Sequence, residues 1–506
     1  MGVNTKTDDE ESAPLDDQKE EKNDASSEGK PDDDAKKDEN QTENENENAV
    51  VVGGLEESKD GYQPLFTRKP YVLRCLIGIL VIFVIVVLAA LIVLIIIPGL
   101  MAYYTPPMYL AIVKVAQSLQ STPPFDVPRN LTIPKGFEIE AYGRVPSARF
   151  LLPLPNGDVL VSQPREGQIS LLKRPARENM PVIKLDFATG LHFPQDMLLY
   201  TDERGDKYIY VAESTRITRH FYEDGDVRLS SSQNVVSNLP YAIDDENPYK
   251  GIAIGNGTLY VSIGSSSDSN PIELTKDPKR GAVYGYRAVG GQRRLIAEGI
   301  RSAEGLAFFP GTNDLWAVVK QRINIKYPFK GSKYGILDPE FVDYNPPEEF
   351  SRVIEGENYG WPYCNPNFKI SKGNDIKYVA DVETNPDETD VKCSSFRKID
   401  FPLPPHTVPL GLTFWAGENA PKDYRNGALV ALYEVNSKTG EGNSVIFIPW
   451  DYGKPVYYFD LVKGWVLDLE TKERWGRPVD TAVLQDGSIL ISDDMYGAIY
   501  RLYKTD

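Results

Sequence analysis

The residues GIAIGNGTLYVSI at positions 251–263 combine a short apolar run, an Asn-Gly turn and an alternating strand. Asn-Gly supplies the positive φ angles that a two-residue hairpin turn requires. No helical period of comparable length appears after residue 125, so the sequence predicts an all-β chain. Five other segments repeat this pattern, and the six segments start at Leu151, Asp196, Gly251, Gly305, Gly411 and Asp480.

The length of the repeat predicts the architecture. About 380 residues shared among six repeats give roughly 60 residues each, which fits four-stranded blades of about 40 to 50 residues plus loops. We therefore predict a six-bladed β-propeller over residues 126–506. The stretch from Lys320 to Pro404 is too long for one plain blade and is expected to hold large loops. Such rim loops commonly build the binding site of a propeller.

The N-terminal segment is strongly acidic. Residues 1–60 carry 21 Asp and Glu against 7 Lys and Arg, a net charge of −14, whereas the whole chain is −18, which leaves −4 for the rest. Residues 1–65 are too polar to bury a core, so we predict a disordered cytoplasmic tail. The low pI describes this tail rather than the folded part, and we expect no nucleic-acid partner.

An uncharged run follows the tail. The 23 residues from Cys75 to Ile97 contain no charge and are long enough to cross a hydrocarbon core of about 30 Å as a helix. We predict a transmembrane helix over 71–98 and a linker over 99–125. Arg68, Lys69 and Arg74 precede the run, which places the N-terminus in the cytoplasm. The chain is thus expected to be a single-pass type II membrane protein with an extracellular or lumenal propeller.

That topology makes three sequence features usable. Asn130 and Asn256 begin Asn-X-Thr sequons and are predicted glycosylation sites. Cys364 and Cys393 are the only cysteines outside the membrane region, so a disulfide between them is expected in an oxidising compartment. Two free thiols are the alternative.

Several longer phrases carry a family resemblance. These phrases are residues 299–308, GENYGWPYC at 356–364, PHTVPLGLTF at 405–414, WGRPVD at 475–480 and ISDD at 491–494. In them the chain resembles the quinoprotein glucose and sorbosone (pyranose) dehydrogenases, whose six-bladed propeller holds pyrroloquinoline quinone with calcium over its central channel. Together with the predicted membrane anchor, the resemblance implies a membrane-anchored dehydrogenase that oxidises a sugar hydroxyl with this quinone and passes electrons to an acceptor that the sequence does not identify.

The resemblance also implies residue roles. The quinone carries three carboxylates and needs cations, preferably in a fork geometry. Arg301 with Ser302 beside it, Arg477 and Lys438 match positions where the family places its cofactor-binding residues. For each of the three cations, a salt bridge at the surface or a blade edge is the alternative.

The proton-abstracting base departs from the family pattern. Asn247 stands about where the family has His, and an amide cannot take up a proton at neutral pH. Glu246 or Asp245 would substitute if burial raised its pKa. His406 lies in a family phrase and is expected to shape the site, whereas His192 is a candidate for facing the channel. The third histidine, His220, is expected to be structural.

The calcium region departs as well. The family has a short Gly-Pro loop and acidic residues after the fourth inner strand, whereas this chain has Arg322 and an inserted KYPFKGSKYG stretch. Arg322 would place a cation where the family implies Ca²⁺, so calcium binding stays open.

Three functional hypotheses follow. The first is the quinone-dependent sugar dehydrogenase. The second is a propeller without redox chemistry that binds a carbohydrate or a protein, for example through Trp361, Tyr363 and Trp415. The third is a Ca²⁺-dependent, lactonase-like hydrolase of another six-bladed family, which suits the topology but not the Asn-Tyr-Gly-Trp-Pro phrase.

Overall fold

The computed structural model describes residues 80–87, 110–114, 122–175, 180–242, 244–372 and 375–505. The chain divides into two units, Met1–Val87 and Leu88–Asp506, and the propeller lies in the second. The predicted tail over 1–65 lies outside the described residues, as do most of the predicted transmembrane segment (71–98) and much of the linker (99–125). Residues 80–87 form a helix with exposed side chains. Among the described helices, none has the length and apolar character that crossing a membrane requires.

Six four-stranded antiparallel sheets form the second unit and confirm the predicted six-bladed propeller. Each inner strand contacts the inner strand of the next blade, and the series closes into a ring. Blade 1 comprises Leu151–Pro153, Val159–Gln163, Gln168–Lys173 and Ile183–Ala188. Blade 2 comprises Met197–Thr201, Lys207–Ala212, Ile217–Phe221 and Ser232–Val236. Blade 3 comprises Ile252–Gly255, Thr258–Ile263, Ala282–Arg287 and Arg294–Glu298. Blade 4 comprises Ala303–Phe308, Leu315–Val319, Glu348–Arg352 and Phe401–Leu403. Blade 5 comprises Pro409–Phe414, Ala428–Val435, Gly442–Ile448 and Phe459–Val462.

Blade 6 closes the ring without a covalent bond. Its inner strands, Pro478–Val483, Ile489–Asp493 and Ala498–Lys504, come from the C-terminal part of the chain, and its outer strand is Phe137–Arg144. Upstream of that strand, Leu110–Lys114 pairs with Asn130–Pro134, although both the first strand and the buried residue Phe125 fall in the predicted linker.

Shorter elements decorate the blades. Three more two-stranded ribbons are Cys364–Lys372 with Asp375–Ala380, Trp450–Asp451 with Lys454–Pro455, and Val466–Asp468 with Glu473–Arg474. The short helices of this unit are Pro164–Glu166, Pro271–Thr275, Pro339–Asp343, Pro386–Glu388, Cys393–Ser395 and Lys422–Tyr424.

Local sequence explains the blade geometry. Asn256 and Gly257 have φ angles of 48° and 69°, which is the left-handed turn predicted for the blade 3 hairpin. The Lys320–Pro404 stretch contributes only the two outer strands of blade 4, and the rest of it forms loops and a ribbon, as expected. Cys364 and Cys393 form the predicted disulfide, which ties that ribbon to a later loop.

Buried side chains join neighbouring blades at the channel end. The Asp480 carboxylate of blade 6 accepts a hydrogen bond from the Leu151 amide of blade 1 at 2.9 Å. Asp196 of blade 2 accepts one from the Ile252 amide of blade 3 at 2.8 Å. Burial raises the pKa of Asp480 to about 7. These bonds fix the starts of the inner strands, where the candidate site lies.

Candidate functional site

A cavity of about 160 Å³ opens at the end of the channel where the inner strands begin. We call it the channel-end pocket. Its volume is below the range of about 300–1,000 Å³ that is usual for small-molecule sites. The charged and aromatic residues that line it, together with one amide, are Arg149, Arg165, Glu246, Asn247, Tyr249, Glu304, Lys320, Tyr433 and Asp494.

Arg149 lies at the centre of this pocket and is buried. Its guanidinium donates to Glu304 at 3.0 Å, to Asp494 at 3.3 Å and to the side-chain oxygen of Gln195 at 3.1 Å. Burial acts to lower the pKa of Arg149, but Glu304 and the other anionic neighbours raise it above its ordinary value. A guanidinium has five N–H donors, so two remain beyond these three bonds for further hydrogen bonding.

Two tyrosine rings complete the surroundings of Arg149. The guanidinium lies 4.8 Å from the ring centroid of Tyr249 and 5.6 Å from that of Tyr433. The Tyr433 hydroxyl also donates to Asp494 at 3.1 Å. Together with Gln195 of blade 2 and Glu304 of blade 4, these contacts bring all six blades to one cation. Sequence reasoning missed Arg149, whose signal was its place directly before an inner strand, the place that Arg301 and Arg477 share.

The structure does not bring Arg301 and Ser302 to the pocket. Arg301 is fully buried and pairs with Glu246 at 2.7 Å and with Asp268 at 3.3 Å. Burial lowers its pKa. Ser302 is also buried, and its carbonyl accepts a hydrogen bond from the Lys320 amide at 2.8 Å. Both predicted cofactor residues are therefore engaged within the protein and do not line the pocket.

Arg477 and Lys438 lie in different surroundings, and neither lines the pocket. Arg477 lies behind the pocket, where it donates to Asp494 at 2.8 Å and stacks over the Tyr433 ring at 4.2 Å. Lys438 is exposed in a turn, where its backbone amide donates to Asn436. Among the described side chains that line the pocket, none belongs to the four residues predicted to bind the cofactor.

Asn247 lines the pocket. It is buried, and its amide nitrogen donates to the Ser265 carbonyl at 2.9 Å. Its oxygen accepts a longer bond from the Lys320 ammonium at 3.4 Å. Both amide atoms are therefore engaged, and the group offers no proton-accepting nitrogen.

The other base candidates are placed differently. Glu246 lines the pocket, but its side chain is 37% exposed and paired with Arg301, the opposite of the buried setting that substitution for His requires. Asp245 pairs with Arg280 at 2.7 Å. The His406 ring nitrogen Nε2 donates a hydrogen bond to the Val342 carbonyl at 2.6 Å, and His406 does not line the pocket.

The remaining histidines also lie apart from this pocket. The ring nitrogen of His192 contacts the Ser214 hydroxyl at 2.6 Å. His220 is buried on its strand, bonded to the Ser230 carbonyl at 2.8 Å, and burial lowers its pKa.

Arg322 occupies the region where the resemblance implies calcium. Its guanidinium is only 4% exposed and pairs with Asp268 at 3.3 Å and, more closely, with Asp381 and Glu383. Within the described part of the chain, no group of three or more His, Cys, Asp or Glu side chains is arranged to hold a metal ion. Because a fixed cation already neutralises these carboxylates, the residues do not fit Ca²⁺.

The charge balance of the pocket tests the quinone. A tricarboxylate would bring three negative charges to a lining whose formal charges sum to zero. Arg149, the most buried of the lining cations, is already paired, so a quinone carboxylate at Arg149 would have to displace internal carboxylates. Arg165 and Lys320 have no carboxylate partner among the described residues, which leaves two lining cations for three quinone carboxylates. The lining therefore does not fit the quinone. Its three cations and three carboxylates are Arg149, Arg165, Lys320, Glu246, Glu304 and Asp494.

Comparison with known proteins places this geometry in a family. The TrAA12-like family model matches residues 155–505. An uncharacterized protein of Borreliella burgdorferi is 27% identical over 253 residues, which is 49% of this chain, and the match spans 58% of that curated relative. The activity and partners of the whole protein are therefore proposals.

Solved structures share the fold. The holo pyranose dehydrogenase PQQ domain from Coprinopsis cinerea is 15% identical, with a TM-score of 0.60 over 74% of this chain and 97% of that domain. The Trichoderma reesei Carbohydrate-Active Enzymes Family AA12 protein is 17% identical, with a TM-score of 0.62 over 77% of this chain and 100% of its own. The resemblance drawn from the sequence phrases is thus confirmed for family and fold, and the chain belongs to the TrAA12-like family.

Proposed function

We propose that this chain is a membrane-anchored TrAA12-like propeller that binds a neutral sugar in the channel-end pocket without oxidising it. The observation that carries the proposal is the zero formal charge of the lining, in which Glu246, Glu304 and Asp494 each have an arginine partner. The anchor rests on the 23-residue uncharged run and its basic flank.

Sugar hydroxyls suit such a lining because each both donates and accepts hydrogen bonds. Arg149 and Lys320 supply donors, and Glu246 and Asp494 supply acceptors. A neutral ligand leaves the ion pairs intact, whereas a tricarboxylate finds only Arg165 and Lys320 unpaired in the lining and must compete with Glu304 and Asp494 for Arg149. The Coprinopsis cinerea relative is named a pyranose dehydrogenase, which supports the sugar class.

The lack of a suitable base supports a role without oxidation. Asn247 replaces the expected histidine, and the Glu246 carboxylate is held by Arg301. Removal of a general base commonly slows a reaction by about 10²–10⁴-fold.

Quinone-dependent oxidation of a sugar hydroxyl is the second candidate. Family membership favours it, and so do Arg165 and Lys320, which line the pocket and have no carboxylate partner among the described residues. This function requires the quinone, and Ca²⁺ where the family uses it, to bind in a pocket whose lining has equal numbers of cations and carboxylates.

Calorimetric titration of the full-length chain separates the two candidates. We expect glucose to bind with a dissociation constant of about 1 mM, equivalent to about −4 kcal/mol. Gluconate, its anionic counterpart, and pyrroloquinoline quinone with Ca²⁺ should show no saturable binding. Tyr249→Ala should weaken glucose binding, whereas Tyr452→Ala, at a hairpin position that is 96% exposed, should not.

Two outcomes would overturn the proposal. Absence of glucose binding would refute sugar recognition by this pocket. Saturable quinone binding with glucose-dependent dye reduction would establish the second candidate.

A further inference from the structure

We propose that Lys320 is a nucleophilic lysine that captures the open-chain carbonyl of a reducing sugar as an imine. The inference rests on the proposed function for its ligand class and adds a covalent step to it. The position of Lys320 is fixed by the fold. It follows the blade 4 strand Leu315–Val319, and its amide donates to the Ser302 carbonyl at 2.8 Å.

The side chain of Lys320 faces the channel-end pocket without an ion pair. Its Nζ donates to the Asn247 side-chain oxygen at 3.4 Å, and no carboxylate of the described residues lies within 4.0 Å of it. Most of the other pocket and near-pocket cations, Arg149 and Arg301 among them, are committed to acidic partners. Lys320 is therefore a half-buried pocket cation whose nitrogen is not held by a carboxylate.

Its surroundings also favour the reactive form. Burial lowers the pKa of Lys320, and the positive charge of Arg301 lowers it further. Lowered basicity and limited solvation are the usual means by which proteins make a lysine nucleophilic.

Lys250, which is fully buried, shows that burial alone is not sufficient. Burial lowers the pKa of Lys250 to about 7. Its Nζ, however, donates to the Pro248 carbonyl at 2.7 Å, and the residue does not line the pocket. Among the described lysines, only Lys320 both lines the pocket and has an amine without a carboxylate partner.

The reaction balances without a further reagent. The Nζ lone pair attacks the carbonyl carbon of the aldehyde, and the C=O bond opens to give a carbinolamine. Loss of the hydroxyl with the second nitrogen proton releases one water and forms the C=N bond. No atom is oxidised or reduced, so neither a quinone nor a metal is needed.

Reductive trapping tests the proposal. The full-length chain is incubated with glyceraldehyde or glucose at pH 8 and sodium cyanoborohydride, and modified lysines are mapped by peptide mass spectrometry. We expect Lys320 to be modified at least about tenfold faster than exposed lysines. Lys320→Arg keeps the charge and should abolish the pocket adduct, whereas Lys463→Arg, at an exposed position of blade 5, should leave it unchanged.

Methyl glucoside, which has no free carbonyl, separates this inference from the proposed function. Binding of methyl glucoside and glucose with equal affinity and no Lys320 adduct would refute the imine but retain sugar binding. Absence of binding by either sugar would refute the proposed function. A Lys320 adduct that forms no faster than adducts of exposed lysines would overturn the imine proposal directly.

Discussion

Two buried arginines, Arg149 and Arg322, both pair with carboxylates, but only Arg149 lines the channel-end pocket. Arg149 has two carboxylate partners and two tyrosine faces, and it lines a cavity. Arg322 has three carboxylate partners and lies among the loops of the blade 4 insertion. Arg149 borders a cavity from which a ligand can reach it, whereas Arg322 does not line that cavity.

The difference separates recognition from scaffolding. Arg149 contacts residues of each of the other five blades. The ion pairs of the pocket therefore form only when the ring of blades is closed. Arg322 joins the loop at Asp268 to the segment at Asp381, and the Asp268 carboxylate also accepts the Ile323 amide at 2.6 Å. A guanidinium thus holds the loops that the family resemblance would assign to calcium.

The largest expected effect is the loss of Arg149. Arg149→Met leaves Glu304 buried without its ion-pair partner, and breaking a buried ion pair in this way costs about 3–5 kcal/mol. Chemical denaturation followed by tryptophan fluorescence measures the free energy of unfolding. Arg165→Met, at an exposed pocket residue, is the control and should change it by less than about 0.5 kcal/mol. Equal effects of the two variants would contradict the central role of Arg149.

Removal of Arg322 should have the next largest effect and should create a response to calcium. Arg322→Gln leaves Asp381 buried and unpaired, so we expect a loss of about 2–3 kcal/mol. Ca²⁺ prefers oxygen ligands and should partly restore the variant's melting temperature, whereas the wild type should melt alike in Ca²⁺ and EDTA.

Lys326→Gln is the matched control for Arg322. Lys326 pairs with the same Glu383 at 2.8 Å but is 39% exposed, so its loss should cost at most about 1 kcal/mol and give no calcium response. Calcium-dependent melting of the wild type would show that the guanidinium does not replace the ion.

A smaller effect is expected on the pH dependence of stability. Burial raises the pKa of Asp493 to about 7, well above its value of about 3.9 in an unfolded chain. The folded state then binds more protons than the unfolded state between pH 4 and 7, so the free energy of unfolding falls as pH rises through this window. Asp493→Asn should reduce that fall by up to about 1.4 kcal/mol per pH unit.

Asp486→Asn is the control for this pH experiment. Asp486 lies in the same blade, but its side chain is 51% exposed. Its replacement should leave the fall in stability in place. A fall that is equally steep in the Asp493 variant and the wild type would rule out this carboxyl as a source.

Much of the fold follows from local sequence signals. Asn256-Gly257 and the alternating strands around it predict a hairpin because turn geometry and strand alternation depend on neighbouring residues. The closing strand Phe137–Arg144 also alternates, but its own residues do not identify its partner Ala498–Lys504, which lies at the other end of the chain.

The candidate site was predicted less completely. Arg301 and Arg477 were placed correctly before inner strands, but their partners, Asp268 and Asp494 among them, were not predicted. Sequence spacing puts a side chain near the channel without saying which opposite charge reaches it first. Lys438 shows the same limit, because a position after an inner strand proved to be an exposed turn.

The sequence by itself determined the six repeats and the family, because each is written in contiguous residues. Only the tertiary structure decided that Arg149 is paired, that Arg322 sits among acids and that Lys320 is not paired with a carboxylate. These ion pairs join groups that are between 54 and 345 residues apart, and at short range in a buried site the first carboxylate within reach fixes a cation's role.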